Sequence, residues 1–406
     1  MIRVLYISYD GLLDPLGRSQ IVPYLSRLGR RGTKIWVVSF EKPDRLAAGA
    51  EIAEVERELA GGGVQWRRLR YHRRPTVPAT LWDIARGAIL SLWLVLARRI
   101  KIIHARSYVA AAMALVPAGL PGRRFVFDMR GFWPDERVEG GAWRAGSPVY
   151  RVFKRLERRF LARADAVISL TRRGLEVLSS ELLPAREVPP RFEVIPTCAD
   201  LDLFRPCASH TRQERGLRLV YLGSLGSWYM LEEMLRFFAE VQRRLPASRF
   251  RLVTASDPAA IGEAVRREGL APEAAEKISA GALPREQVPG ALAEADCSVF
   301  FIRPVPSKRA SCATKFAESI ACGVPVVINS GIGDHDEHVR RDRLGIVLES
   351  LEPEAVAEGV DRLLALLEDP GLAGRCRAAA ERDFSLAGAV DRYQSVYEEL
   401  AGGKAG

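Results

Sequence analysis

The sequence predicts an α/β chain of two domains, each an open parallel sheet flanked by helices. Three observations predict it. Short apolar runs alternate with helical periodicities along all 406 residues, the mark of βαβ units. The alternation starts afresh at Arg218–Gly223 (RLVYLG), after an aperiodic polar stretch, Pro206–Gly216. Charge is unevenly divided: residues 1–200 carry 34 Lys and Arg against 20 Asp and Glu, and the remainder 26 against 30. Length agrees, since about 150 residues per domain gives two or three domains.

The first series opens with a strand at Arg3–Ser8, a loop through Asp14–Gly17, and a helix with Ile21, Leu25 and Leu28 on one face. Lys34–Phe40, Ile100–His104, Arg124–Asp128, Ala166–Leu170 and Phe192–Pro196 read as its further strands. In the second series Arg218–Gly223 is a strand, residues 224–228 a Gly-bearing loop, and Leu231–Leu245 an amphipathic helix. Strands at Arg249–Thr254, Lys277–Ala280, Cys297–Ile302 and Val324–Asn329 follow. A final helix carries Val390, Tyr393, Val396, Tyr397 and Leu400. The expected division is 1–205, 206–385, and a closing segment 386–406 whose helix packs back on the first domain. Ligands of such Rossmann-like sheets bind at the carboxyl ends of the strands, where helix N-termini favour anions. Neither Gly-bearing loop has the G-x-G-x-x-G spacing, so an NAD-dependent enzyme gains no support.

Composition narrows the classes. Apolar residues make up 48%, which excludes a disordered chain. The net charge of +10 rests on 52 Arg and 8 Lys, a bias of composition rather than a polyanion-binding signature, and no nucleic-acid partner is expected. Six Cys (198, 207, 297, 312, 322, 376) include no C-x-x-C pair, so reduced thiols and no zinc site are expected. The chain runs straight into a strand, with no signal peptide read, and a cytoplasmic setting is expected. The longest apolar run, Ala88–Ala97, is about half a membrane span. It reads as a buried core helix; the other reading, given Arg86 and Arg98–Arg99 beside it, is a helix in a membrane interface.

The segment richest in chemistry is Ser307–Asn329 (SKRASCATKFAESIACGVPVVIN). A helix from about Ala313 to Cys322 would end at Gly323, with Pro325 preventing continuation. At 100° per residue Thr314 and Glu318 share one face, and Phe316 and Ile320 the opposite one. A carboxylate near the helix start suits ribose hydroxyls, and a Lys there suits a diphosphate. By periodicity alone, a surface helix with solvated charges is the plainer reading.

This segment resembles the donor-binding motif of the retaining glycosyltransferases of family 4 (group 1 glycosyltransferases, GT-B architecture), "S-x-T-K-x-x-E … A-C-G-x-P-V-V". Tyr9–Gln20 resembles their first acceptor-side loop, and Phe192–Pro206 the linking "V-I-P-N-G-V-D-x-x-x-F-x-P". Val220–Met230 resembles the loop opening the donor domain, and Gly331–Gly345 the loop closing the sugar pocket. The resemblance implies two Rossmann-like domains facing across a deep cleft and a nucleotide-diphosphate sugar donor held by the second. Glu318 would bind the ribose; Lys315, with Arg303 or Lys308, would neutralise the departing diphosphate. Thr314, Gly17 and Gly223 would lie on the donor, Ser224 would add hydroxyl and backbone donors, and Gly281 through Leu283 would hold the base. No metal and no cofactor are implied; Asp200-Leu-Asp202 matches a metal motif only formally.

The departures from the family pattern are specific. Its usual first Glu falls at Ala310, and its Arg and Lys after the donor-domain Gly have no counterpart in residues 224–229. Its first-domain His has none either, and Asp128, Arg130 and Glu136 become the candidates for touching donor or acceptor. Structurally, Asp128 would be a strand-end cap, and Arg130 and Glu136 a loop ion pair. His104 and Arg106 end a neighbouring strand. The implied acceptor is a glycan, a lipid-linked sugar or another cell-envelope or secondary-metabolite acceptor. Trp66–Arg74 and Val152–Arg163, with Lys154, Arg155, Arg158 and Arg159 at helix spacing, are either solvated surface or a peripheral contact with the inner face of the membrane. A nucleotide-sugar epimerase or hydrolase, and an inactive sugar-binding relative, are the alternatives.

Overall fold

A computed structural model describes residues 1–183, 188–206, 216–226 and 228–402. They form two compact units: Met1–Pro196 with the last helix, Leu386–Gly402, and Thr197–Ser385.

The first unit holds β1 (Arg3–Ser8), β2 (Lys34–Glu41), β3 (Gln65–Arg70), β4 (Ile102–Arg106), β5 (Arg124–Asp128), β6 (Ala166–Ser169) and β7 (Arg191–Val194). They make one sheet in the order β3-β2-β1-β4-β5-β6-β7, every pair parallel. Val4 lies opposite Ile35 on one side and Ile102 on the other, and all three are buried. A central parallel strand covered on both faces needs this continuous apolar run. Strand order reverses between β1 and β4, which opens a crevice at their carboxyl ends.

The second unit repeats the plan with β8 (Arg218–Leu222), β9 (Arg249–Val253), β10 (Ile278–Gly281), β11 (Cys297–Phe300), β12 (Val326–Asn329) and β13 (Gly345–Leu348). Their order is β10-β9-β8-β11-β12-β13, all parallel, with the reversal between β8 and β11. The helix Leu231–Arg244 buries Met234, Leu235, Phe237, Phe238 and Val241 on this sheet. Fully burying a phenyl ring of this kind contributes about 2–3 kcal/mol.

Three expectations need correction. The expected boundary at 205/206 falls at 196/197. Ala199 bridges to Ser385, Phe204 is fully buried in the second core, and the Arg377 guanidinium donates to the carbonyls of Leu201 and Phe204. Most of the expected linker, residues 207–215, lies outside the described residues, as do residues 403–406 of the expected tail. The apolar run Ala88–Ala97 is not a core helix: it ends a longer helix, Thr76–Ala97, that exposes Ile89, Trp93 and Leu96. Finally, β3 and β13 were not expected, and the expected closing loop Gly331–Gly345 contains the helix His335–Asp342.

Candidate functional site

In the second unit the chemistry gathers where strand order reverses. β8 is followed by Gly223, whose φ of +106° disfavours any side chain; a Cβ there would also lie 3.4 Å from Lys315 Nζ. Lys315 sits in the first turn of the helix Thr314–Ala321, between β11 and β12. Its side chain is folded inward, leaving the residue only 6% exposed. The ammonium lies 3.4 Å from the ring centroid of Tyr229 and 3.9 Å from that of Tyr221, with Phe300 further off at 5.7 Å. Among the described residues Nζ has no hydrogen-bond partner. Ring quadrupoles replace part of its lost hydration, worth ~0.5–2 kcal/mol. Burial nevertheless pushes its pKa well below the usual lysine range, with Glu318 pulling weakly the other way.

Glu318, one turn along the same helix, is 8% exposed. Burial raises its carboxyl to about 7, against the opposing pull of Arg285 and Lys315. Arg285 Nη1 stands 3.4 Å from Oε1. Lys315 and Glu318 are therefore not the solvated surface charges that periodicity suggests; Thr314 is half-buried.

The surrounding loops are tied to the same rim. Lys308 is buried with Nζ 3.8 Å from the Trp228 ring centroid, and its carbonyl accepts from Gly333 N at 2.8 Å. Arg303 N donates to the Trp228 carbonyl at 2.9 Å, while the residue as a whole is exposed. Ser224 is exposed; its carbonyl accepts from the Tyr221 hydroxyl at 2.7 Å, which fixes the turn after Gly223. His335 Nε2 accepts from Ala313 N at 3.2 Å, just before the Lys315 helix. Burial lowers the His335 imidazole to about 3, so it stays neutral and keeps that acceptor.

Gly281 ends β10, its carbonyl accepting from Thr254 N at 2.9 Å, and Leu283 packs on the core two residues before Arg285. The expected base-holding segment thus adjoins the expected ribose carboxylate. Gly281 and Leu283 also border a cavity of about 640 Å³, lined further by Arg218, Arg251, Lys277 and Glu294. That cavity runs along the amino-terminal halves of β8 and β9, and its lining does not include Lys315.

The first unit has its own buried polar cluster at the ends of β4 and β5. Asp128 is fully buried. Its Oδ2 accepts from the Tyr393 hydroxyl at 2.9 Å and lies 3.4 Å from His104 Nε2. His104 Nδ1 is 2.7 Å from the Tyr397 hydroxyl. Arg130 Nη1 and Arg106 Nη1 stand 3.9 and 4.0 Å from the carboxylate. Burial alone would raise Asp128; Arg130, His104 and Arg106 outweigh it and hold the carboxyl at about 2. Burial lowers His104, so it is neutral, with Nε2–H toward Asp128 and Nδ1 accepting from Tyr397. Asp128 Oδ1 and Arg106 Nε have no hydrogen-bond partner among the described residues. Ser107 and Arg130 both hold left-handed backbone, at φ +71° and +60°. Two such non-glycine residues at adjacent strand ends cost roughly 1–3 kcal/mol each, a strain that clusters at functional rims.

The other candidates stand on separate elements. Glu136 lies in the first turn of the helix Trp133–Glu139, and Arg130 pairs with Asp128. Gly17 is explained by close approach: a Cβ would come 2.1 Å from the Gly11 carbonyl. That loop is anchored by buried Glu41, which accepts from Leu12 N at 2.8 Å and Leu13 N at 3.2 Å. Asp200 Oδ1 accepts from Asp202 N at 3.1 Å, a local turn contact. Lys154 turns inward to Glu157, 2.5 Å away, leaving Arg155, Arg158 and Arg159 on the exposed face of their helix. Sequence reasoning missed Arg285, His335 and the tyrosines at 221 and 229; His335 in the run D-H-D-E-H was the one visible signal.

The family model Glycosyltransferase Family 4 matches residues 23–203, and Glycosyl transferases group 1 matches residues 216–366. No curated protein sequence gives a significant match. Among solved structures, sucrose-phosphate synthase from Thermosynechococcus elongatus superposes with a TM-score of 0.73 at 16% identity, over 99% of both chains. A glycosyltransferase from Rickettsia africae gives 0.73 at 14% identity, again over 99% of both chains. HepE of Anabaena, solved with UDP and glucose, gives 0.69 at 16% identity over 99% of this chain and 100% of its own. At these identities the likeness is one of fold.

Proposed function

Because the chain belongs to the group 1 glycosyltransferases, we propose that it moves a sugar from a nucleoside-diphosphate sugar, held by the second unit at the reversal point of β8 and β11, to a glycan or lipid-linked acceptor, with retention of anomeric configuration. The observation that carries the donor assignment is Lys315: a nine-tenths buried ammonium without a hydrogen-bond partner among the described residues, beside a glycine where any side chain would crowd its tip. A diphosphate supplies the missing acceptors. Support for the nucleoside side comes from Glu318, one helical turn away, with Gly281–Leu283 adjoining it through Arg285.

On this reading departure of the diphosphate breaks the C1–O bond, and negative charge grows on the leaving phosphate as the sugar becomes oxocarbenium-like. Lys315, the backbone N–H groups after Gly223 and the start of the helix Thr314–Ala321 stabilise that charge from fixed positions. Arg303 and Lys308 add cations to the same rim, and Thr314 and Ser224 add hydroxyls. The reaction needs no metal. In the first unit Asp128, Arg130 and Glu136 are the candidates for sugar or acceptor hydroxyls, with Gly17 on the loop before them. The excess of basic residues in the first half supports an acceptor met at an anionic membrane surface, with the protein peripheral to it.

Calorimetric titration of UDP, GDP, ADP and TDP tests the donor site. One nucleotide binds selectively, and Glu318→Ala weakens it by at least ~1.4 kcal/mol, a factor of ten. Equal affinity of wild type and variant would remove the ribose role of Glu318.

A further inference from the structure

The helix Thr76–Ala97 is built the wrong way round for a helix facing water. Its inward residues are Ala79, Asp83, Gly87, Ser91, Leu94 and Val95, all buried. Its outward residues include Leu81, Trp82, Ile89, Trp93 and Leu96, exposed at 60, 58, 70, 54 and 56%. At 100° per residue these five fall within an arc of about 120°, centred opposite Gly87. The inward face is held by specific contacts rather than by apolar bulk. Asp83 accepts from His72 N at 3.0 Å and from the Tyr9 hydroxyl at 3.1 Å, and pairs with His72 Nδ1 at 2.6 Å. A Cβ on Gly87 would lie 2.5 Å from Met113 Sδ, so the next helix, Ser107–Ala118, packs directly against the backbone there.

Two bulky indoles and three aliphatic side chains in one exposed stripe call for an apolar neighbour. Charge identifies it. Exposed Arg70, Arg73 and Arg74 precede the helix, Arg98 and Arg99 follow it, and half-buried Arg86 lies at the edge of the stripe. Tryptophan among aliphatic residues, with arginines at both ends, is the pattern of a segment lying at the boundary of headgroups and acyl chains. The inward contacts run from Ala79 to Val95, so the helix meets the bilayer along its length while docked on its own unit.

We propose that the outward face of Thr76–Ala97 is a monotopic membrane anchor that inserts Leu81, Trp82, Ile89, Trp93 and Leu96 into an anionic leaflet. This deepens the peripheral-membrane reading above and does not depend on the donor chemistry. The anchor keeps the first unit at the surface where a lipid-borne acceptor is displayed.

Flotation with vesicles of phosphatidylcholine, alone or mixed with phosphatidylglycerol, tests it at physiological salt. The full chain floats with the mixed vesicles, and its tryptophan emission shifts to the blue. Ile89→Ser with Trp93→Ser weakens this binding about tenfold or more. Arg98→Gln with Arg99→Gln reduces the preference for anionic over neutral vesicles. Nucleotide affinity, measured on the same samples, stays at the wild-type value and reports an intact fold. Should the double serine variant misfold, Leu81→Ser with Leu96→Ser tests the same stripe from its two ends. Equal flotation with both vesicle types, retention of binding by the serine variants, or wild-type dimers held together by the stripe without lipid would each overturn the proposal. Loss of nucleotide binding by wild type would count against the donor site and leave the anchor standing.

Discussion

Lys315→Met lowers kcat about a hundredfold and stabilises the fold at the same time. The first effect follows from geometry: Lys315 Nζ is the cation at the tip of the β8 rim, 3.4 Å from where a side chain on Gly223 would begin. Loss of one preorganised group facing a developing oxyanion costs ~2.7–4 kcal/mol. A fall in kcat of less than tenfold would move that role to Lys308 or Arg303. The second effect follows from burial. An ammonium among Tyr221, Tyr229 and Phe300 has no hydrogen-bond partner among the described residues, and a thioether of similar length occupies the same space without a desolvation penalty. Melting therefore shifts upward in the variant while activity falls, which a merely structural lysine would not produce.

The same residue makes a proton prediction. Its pKa in the free protein lies well below the usual lysine value of 10.5, so the unfolded chain binds more protons across that window. Stability accordingly rises with pH through it, and the methionine variant lacks that rise. A bound diphosphate restores the charged form. Near pH 8 Glu318, at about 7, is already mostly ionised, so proton uptake on nucleotide binding at higher pH reports Lys315, and it grows as pH rises toward the usual lysine range. Calorimetry in two buffers of different ionisation enthalpy reads this uptake. The methionine variant takes up none; equal uptake by both proteins would assign the proton elsewhere.

Much of this arrangement was legible in the chain itself. The spacing of Thr314, Lys315 and Glu318, the stop at Gly323 and the two βαβ series all follow from local periodicity, and the comparisons bear out the family that the motifs resemble. Burial at Lys315 was not legible, because its aromatic surroundings arrive from Tyr221, Tyr229 and Phe300 on segments far apart in sequence. β3 was hidden for another reason. As an edge strand with both faces largely in water, Gln65–Arg70 needs no apolar alternation and reads as a basic loop. The helix Thr76–Ala97 misled because hydropathy reports apolar content and not which face the sheet takes. At Thr197–Phe204 the chain has already joined the second core, so the topological boundary precedes the compositional one. Ala310, where the family pattern has a carboxylate, is 2% exposed.

Asp128→Asn destabilises the first unit by about 3–5 kcal/mol, because it leaves two arginines facing a buried neutral amide. Arg106 is 2% exposed and the Arg130 side chain 11%, so water does not screen them. The loss lowers Tm by roughly 10 °C. Its pH dependence has a definite sign. Asp128 titrates at about 2 when folded and near 3.8 when free, so its contribution is complete above the unfolded value and disappears as pH falls through the folded one. The gap between wild type and variant therefore closes on acidification from pH 4 to pH 2. Tyr393→Phe separates the charge from its hydrogen bond: removing the hydroxyl 2.9 Å from Oδ2 costs only about 1–1.5 kcal/mol and leaves the pH profile in place. The activity of these variants then distinguishes two roles for the cluster. If Asp128 only supports the left-handed backbone at Ser107 and Arg130, the two variants lose kcat in proportion to their loss of stability. If its Oδ1, which has no hydrogen-bond partner among the described residues, meets a sugar hydroxyl, Asp128→Asn loses kcat at temperatures where it is fully folded, and Tyr393→Phe does not. Tyr393, which donates to this carboxylate, and Tyr397, which meets His104, come from the helix Leu386–Gly402, which enters the first unit directly after the second ends at Ser385. Truncation before Leu386 removes both hydroxyls together with buried Val390 and Val396, and destabilises the first unit by more than Tyr393→Phe does, without touching any residue of β5.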